Sequence, residues 1–164
     1  MKRIGLLSDT HSFLHPKVFE YFAKCDEIWH AGDIGNIKIA DELSKFKPLR
    51  AVYGNADGQD VQIVYPQFQS FKCEECRVLM THIGGYAGKY ETKVRQLLLE
   101  KRPNLLVVGH SHILKVFYDK KYNLLNINPG ACGNYGFHLV KTFVRFSIDC
   151  ERIKNLEIIE IEKK

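Results

Sequence analysis

The stretch Ile4-Gly5-Leu6-Leu7-Ser8-Asp9-Thr10-His11 decides the fold. Its first four residues form a short apolar run bounded by polar residues, which is the pattern of a buried parallel strand. Similar runs return at Glu27-Ile28-Trp29-His30, ending at Ala31-Gly32-Asp33, and at Leu49-Arg50-Ala51-Val52-Tyr53, ending at Gly54-Asn55. Between the first two, Pro16 is placed to open a helix whose apolar face carries Val18, Phe19, Phe22 and Ala23. Between the second and third, Ile39, Leu43 and Phe46 recur at helical spacing from about Ile37 to Phe46. The order β-α-β-α-β with right-handed crossovers builds a parallel sheet.

The chain then changes character. Gln67–Lys72 and Arg77–His82 read as two strands joined by a Cys73-Glu74-Glu75-Cys76 turn. A helix from about Glu91 to Lys101 buries Val94, Leu97 and Leu98, and Pro103 stops it. Leu105-Leu106-Val107-Val108 is the next buried strand and ends at Gly109-His110. Leu114–Asp119, Tyr122–Asn126, Leu139–Ile148 and Ile153–Glu162 follow as strands with no helix between them. The lone helix and these later strands imply a second, mixed sheet packed on the first. No repeat, low-complexity tract or linker interrupts 1–164, so the expectation is one α/β domain of two layered sheets.

At 164 residues the chain suits a single domain of the usual ~100–200 residues. Its 45% hydrophobic and 26% charged residues are ordinary for a globular protein and exclude disordered and collagen-like classes. The net charge of +5 mildly favours an anionic substrate. Lys and Arg are scattered rather than clustered with aromatics, so a nucleic-acid partner is not expected. Lys2-Arg3 is followed by only four apolar or small residues, short of a secretory core, and no run suits a membrane span. With the odd cysteine set Cys25, Cys73, Cys76, Cys132 and Cys150, the expected location is cytoplasmic, with reduced thiols. Cys73-x-x-Cys76 lacks the second pair that a structural zinc site needs, so a turn between strands is its reading.

Potential metal ligands recur just beyond the strands. Asp9 and His11 follow the first, Asp33 the second, Asn55 the third, His82 a later one, and His110 and His112 the Leu-Leu-Val-Val strand. Taken singly, Asp9 reads equally as a cap, Asp33 and Asn55 as turn residues, and His82 as a hydrogen-bonded structural histidine. His110 and His112, two apart, share one side of an extended segment. Together these are seven candidate ligands after five strands, in the crevice where open α/β sheets bind ligands. Mixed imidazole, carboxylate and amide donors suit Mn, Fe, Co, Ni or Zn better than Ca or Mg. Seven ligands exceed the three or four usual at one catalytic zinc, so two ions are expected, manganese first among them.

Asp9-x-His11, Gly32-Asp33, Gly54-Asn55, Thr81-His82 and Gly109-His110-Ser111-His112 stand in an order that resembles the calcineurin-like metallophosphoesterase family. The short length, Asn128-Pro129-Gly130 and Gly54-Asn55-Ala56-Asp57 are similar to its small bacterial and archaeal phosphodiesterase branch. The resemblance implies a four-layer α/β/β/α sandwich of two mixed sheets. It implies that Asp9, His11, Asp33 and His112 hold one metal, and that Asn55, His82 and His110 join a bridging Asp33 around the second. Asp33, Asn55 and His110 then stand closest to the reaction, an in-line attack on phosphorus by a hydroxide held between the metals. The implied partner is a small phosphodiester, and a homo-oligomer is compatible with it.

One position departs from the family. Where most members carry a His thought to assist the leaving group, this chain has Ala56. General acid help is worth about 10²–10⁴-fold, so activated aryl esters are the expected substrates. The retromer scaffold subunit, similar in fold but used mainly for protein contacts, is the rival reading; a nuclease is a second, for which the chain has little room. His30 is expected as a buried neighbour of the site. His15 and His138 are candidates for its border, with surface positions the alternative. Gly84-Gly85-Tyr86-Ala87-Gly88-Lys89 resembles a flexible rim loop, with Lys89 a candidate phosphate contact.

Overall fold

A computed structural model describes residues 1–163. Strands β1 (Lys2–Leu7), β2 (Glu27–His30) and β3 (Leu49–Ala51) are parallel, linked by α1 (Lys17–Phe22) and α2 (Ile37–Phe46). Asn36 caps α2 by accepting the Lys38 amide proton at 3.0 Å. A second sheet contains β4 (Phe68–Cys73), β5 (Cys76–Thr81), β8 (Leu105–Val107), β9 (Leu114–Asp119) and β10 (Leu124–Pro129) in the order β4-β5-β8-β10-β9. Its three central strands are parallel and its two edges antiparallel, with α4 (Thr92–Lys101) crossing from β5 to β8.

The last two strands depart from expectation. β11 (Val140–Asp149) and β12 (Arg152–Glu162) do not extend the second sheet; they return to the first, giving the order β12-β11-β1-β2-β3. β11 pairs antiparallel with β1, with Leu6 opposite Val144 and Ile4 opposite Phe146. Seven of its ten residues are buried, because it lies between two strands with apolar groups on both faces. Such a strand has no single polar face to reveal its sheet.

Burial sorts the chain into four layers. Ile4, Leu6, Trp29, Val78, Met80, Leu105, Val107 and Phe146 fill the space between the sheets. On the outer face of the first sheet, Leu7, Ile28 and Phe143 pack under Val18 and Phe22 of α1 and Leu43 of α2. On the outer face of the second, Leu79, Leu106 and Leu124 pack under Val94, Leu97 and Leu98 of α4. Each fully buried Leu, Ile or Val contributes about 1.5–3 kcal/mol over its exposed state. Gly5 is needed for this packing: a Cβ there would stand 2.6 Å from the Phe22 ring. The result is an α/β/β/α sandwich.

Two small elements sit at its rim. A one-turn helix α3 (Gln59–Gln62) follows the Gly54–Asp57 turn, and β6 (Gly85–Tyr86) with β7 (Lys89–Tyr90) makes a two-stranded ribbon where a loop is expected. Cys73 and Cys76 face each other across the β4–β5 hairpin, and burial pushes both thiols up to about 11. No described helix is long and apolar enough to cross a membrane.

Candidate metal centre

All seven candidate ligands lie beyond strand ends along one edge of the sandwich. Asp9 and His11 follow β1, Asp33 follows β2, Asn55 follows β3, His82 follows β5, and His110 and His112 follow β8. The strands are parallel there, so their ends converge. Backbone bonds stitch the loops together: Asp9 N–H donates to Gly32 O (3.0 Å), His11 N–H to Asp33 O (3.0 Å) and Gly109 N–H to His82 O (3.0 Å).

Two triads result. Ligand atoms of Asp9, His11 and His112 lie within 4.8 Å of one another, as do those of Asp33, His82 and His110. Asp33 joins them, with Oδ2 3.0 Å from His82 Nε2 and 3.6 Å from His11 Nε2. Its other oxygen is committed, accepting the Ala56 amide proton at 2.8 Å. Gly54 makes this approach possible, since a Cβ at that position would collide with the Asp33 carboxylate. Asn55 therefore stands between two residues in contact with Asp33, and it is exposed.

Asp9 is held the same way. Its Oδ2 accepts from Ser8 Oγ (2.7 Å) and from the His110 amide (3.2 Å). Its Oδ1 points at His112 Nε2 (3.2 Å) and His11 Nε2 (3.7 Å) without a hydrogen bond. His82 Nδ1 is spent on Ala31 O at 2.8 Å, leaving Nε2 toward Asp33. Asp9 Oδ1, His11 Nε2 and His82 Nε2 are thus buried and unsatisfied. Buried polar atoms without partners are costly, and three lone-pair donors aimed into one space fit divalent cations. The donor set matches.

Electrostatics agree. Burial opposes ionisation of Asp9, but the His11 and His112 imidazoles beside it, with His82 and the Ser8 hydroxyl, outweigh it and hold the carboxyl below the usual range. Asp33 is lowered too: burial raises it, while His82 and the Ala56 amide win. His11 is raised, chiefly by the Asp9 carboxylate beside it.

The backbone is unusual at the same places. Asp9, His11, Asp33, His110 and His112 all have positive φ, between 43° and 73°. Asp and His tolerate this left-handed region better than most residues, and such conformations cluster at functional sites.

Several supporting residues escaped the reading of the sequence. Asp57 accepts from the amides of Gly54 (2.8 Å), Gly35 (2.8 Å) and Ile34 (3.2 Å), locking the Asn55 turn to the Asp33 loop. Asn128 donates to Gly109 O and Ser111 Oγ, both at 3.0 Å, and so braces the His110–His112 loop. Their only signal was membership of the Gly54–Asp57 and Asn128–Gly130 segments, which assigned them no role. His30 is fully buried: Nδ1 accepts from the Gly32 amide (3.1 Å), and Nε2 meets Thr10 Oγ1 (3.0 Å), which donates to Ile34 O. Burial pushes its pKa down to about 3. His138 stacks edge-on to His112, its Nε2 on Gly133 O at 2.8 Å. His15 instead accepts the Lys17 amide proton at the start of α1, outside both triads. Lys89 is exposed on the ribbon and does not line the cavity beside His110.

The comparisons point the same way. Residues 1–151 match the model of the calcineurin-like phosphoesterase superfamily domain. The chain is 32% identical over 133 residues to a probable metallophosphoesterase of Methanothermobacter thermautotrophicus, covering 78% of this chain and 76% of the relative. A novel archaeal phosphodiesterase superposes with a TM-score of 0.77 at 21% identity, over 97% of this chain and 99% of that one. Vps29 of Chaetomium thermophilum superposes with 0.76 at 16% identity, over the whole of both chains. At those identities the two structures show the shared fold alone. The family match spans almost the whole chain and includes every candidate ligand, so the protein belongs to the calcineurin-like phosphoesterase superfamily.

Proposed function

We propose that the protein is a two-metal phosphodiesterase. One observation carries this reading: two ligand triads stand side by side, Asp33 of one also lies 3.6 Å from His11 of the other, and three of their donor atoms are buried without partners. Asp9, His11, His112 and Asp33 would hold one cation, and Asp33, Asn55, His82 and His110 the other. When bound, the cations supply Lewis acidity that offsets charge on phosphoryl oxygens and acidifies a water for attack on phosphorus. The mixed nitrogen and oxygen donors admit Mn, Fe, Co, Ni or Zn, and manganese is the ion to test first.

The residues divide the remaining work. Asp33 spans both triads through Oδ2, so the triads cannot separate. Asn55 and His110 are exposed at the mouth, where the Asn55 amide has donors free for a phosphoryl oxygen. Ala56, exposed beside Asp33, can move no proton to a leaving group. Activated aryl diesters should therefore react best. The five cysteines are free and four are buried, which suits a reducing cytoplasm.

The test is hydrolysis of a bis-aryl phosphate with Mn²⁺, with and without chelator. Turnover that chelator abolishes and metal restores supports the reading; inactivity with Mn, Fe, Co, Ni and Zn alike would overturn it. A non-catalytic protein scaffold is the second reading. It is favoured by Tyr135, Phe137 and Leu139, large apolar side chains exposed on the loop beside His112.

A further inference from the structure

A cavity of ≈ 370 Å³ opens directly beside His110, on the outer face of the second sheet. Its floor is β9 and β10, where Phe117 lies opposite Asn126 and Lys115 opposite Asn128. Val108 and Ile113, with Ile83 and Tyr86 from the ribbon side, supply its apolar lining. The volume falls within the roughly 300–1,000 Å³ of small-molecule clefts. Neither triad needs this space.

Its polar groups have a defined sense. Tyr90 donates its single hydroxyl proton to Asp119 Oδ2 at 2.6 Å. Burial and that bond push Tyr90 up to about 12, so the proton stays. Tyr90 can then only accept from Asn126, whose Nδ2 lies 3.5 Å away. This fixes the amide: its NH₂ faces Tyr90, and its carbonyl oxygen has no donor among the described residues. Asn126 is 5% exposed and lines this cavity, so its carbonyl is an unused acceptor beside that space. Glu91, also at the cavity edge, is a second acceptor. Two acceptors over apolar walls ask for a ligand with apolar faces and N–H donors on its edge.

We propose that this cavity binds one ester substituent of the substrate, and that the substituent is a heteroaromatic ring with an amino edge, of the purine kind. The proposal rests on the phosphodiesterase reading, because the metal centre places the phosphoryl group at the cavity mouth. The ring lies between the apolar walls beside Phe117, over whose own ring Lys115 Nζ stands at 5.0 Å, and its donors meet Asn126 and Glu91.

Adenosine 5′-monophosphate and ribose 5-phosphate differ only in such a ring, and calorimetric titration of the Mn-loaded protein with each gives the test. The nucleotide should bind about tenfold more tightly or better. Asn126→Leu should cut that ratio to about threefold or less. Ala87→Trp, which fills the cavity from an exposed position and leaves its floor intact, should do the same; urea midpoints confirm that both variants are folded. Equal affinity of the two ligands for the wild type, or a ratio that survives both substitutions, overturns the proposal and leaves the phosphodiesterase reading intact. If neither ligand binds and no ester is hydrolysed with any metal, the parent reading fails and this one with it.

Discussion

His82 Nδ1 lies 2.8 Å from the carbonyl oxygen of Ala31, and this bond ties the end of β5 to the end of β2 across the two sheets. It also fixes the tautomer. With Nδ1 donating, Nε2 carries a lone pair 3.0 Å from Asp33 Oδ2 unless a proton or a metal stands between them. The chain has no third way to satisfy that pair.

Stability without metal should therefore peak near neutral pH. His82 is buried, which lowers its pKa, but Asp33 and Asp9 outweigh this and raise it; His11 is raised as well, mainly by Asp9. Their stabilisation is complete below about 6.5 and fades as pH rises through the folded values. His30, pushed down to about 3 by burial, acts oppositely: its contribution is present above about 6.5 and is lost as pH falls toward 3. Urea unfolding of chelator-treated protein at pH 5, 6.5 and 8 should give the highest midpoint at 6.5. Added Mn²⁺ should raise the midpoint most at pH 8, where fewer protons compete for the histidines. A chelated protein most stable at pH 8 would contradict the assignment.

Asp33→Asn should lower kcat/KM on an aryl diester by about two orders of magnitude or more, since it removes the charge shared by both triads. The fold should survive, because Asn can still accept the Ala56 amide proton through its carbonyl. Metal content by mass spectrometry of the purified variant should fall below that of the wild type. Full activity at saturating metal would remove Asp33 from its role.

Ala56→His returns a proton donor to an exposed position next to Asp33. Rates on alkyl diesters should rise by about 10-fold or more, toward the 10²–10⁴-fold range of general acid catalysis, while activated aryl esters change little. A new alkaline limb, a fall in rate as pH rises through the introduced imidazole's titration, should appear in the pH profile for alkyl substrates only. Equal changes for both substrate types would show that leaving-group protonation is not what Ala56 lacks.

His30→Leu tests the buried support. It strands the Gly32 amide, while Thr10 keeps its bond to Ile34 O, so a stability loss of about 1–3 kcal/mol is expected. Denaturant titration measures it directly. A loss under about 1 kcal/mol would mean that the loops do not depend on this relay.

Much of this was legible because each chemical residue closes a hydrophobic run. Ile4–Leu7 before Asp9, and Leu105–Val108 before His110, mark a strand and its candidate ligand in one reading. Helices α2 and α4 were equally plain, since Ile39, Ala40 and Leu43, or Val94, Leu97 and Leu98, recur on one face. The sheet membership of β11 was not, because burial on both faces erases the period that assigns a strand to a layer. Nor were Ser8, Asp57 and Asn128, whose roles depend on amides far away in the chain. The cavity beside His110 was hidden for a similar reason: its floor comes from β9 and β10, its wall from β5, β8 and the ribbon.

The positive φ of five candidate ligand residues bears on how such a site can decay. A β-branched or bulky side chain there costs about 1–2 kcal/mol in backbone strain before any loss of chemistry. Asn and Gly do not carry that cost. A descendant that abandoned the metals would drift first to Asn and Gly at positions 9, 11, 33, 110 and 112. The vacated centre would leave a scar of small amides and glycines, readable long after the last histidine had gone.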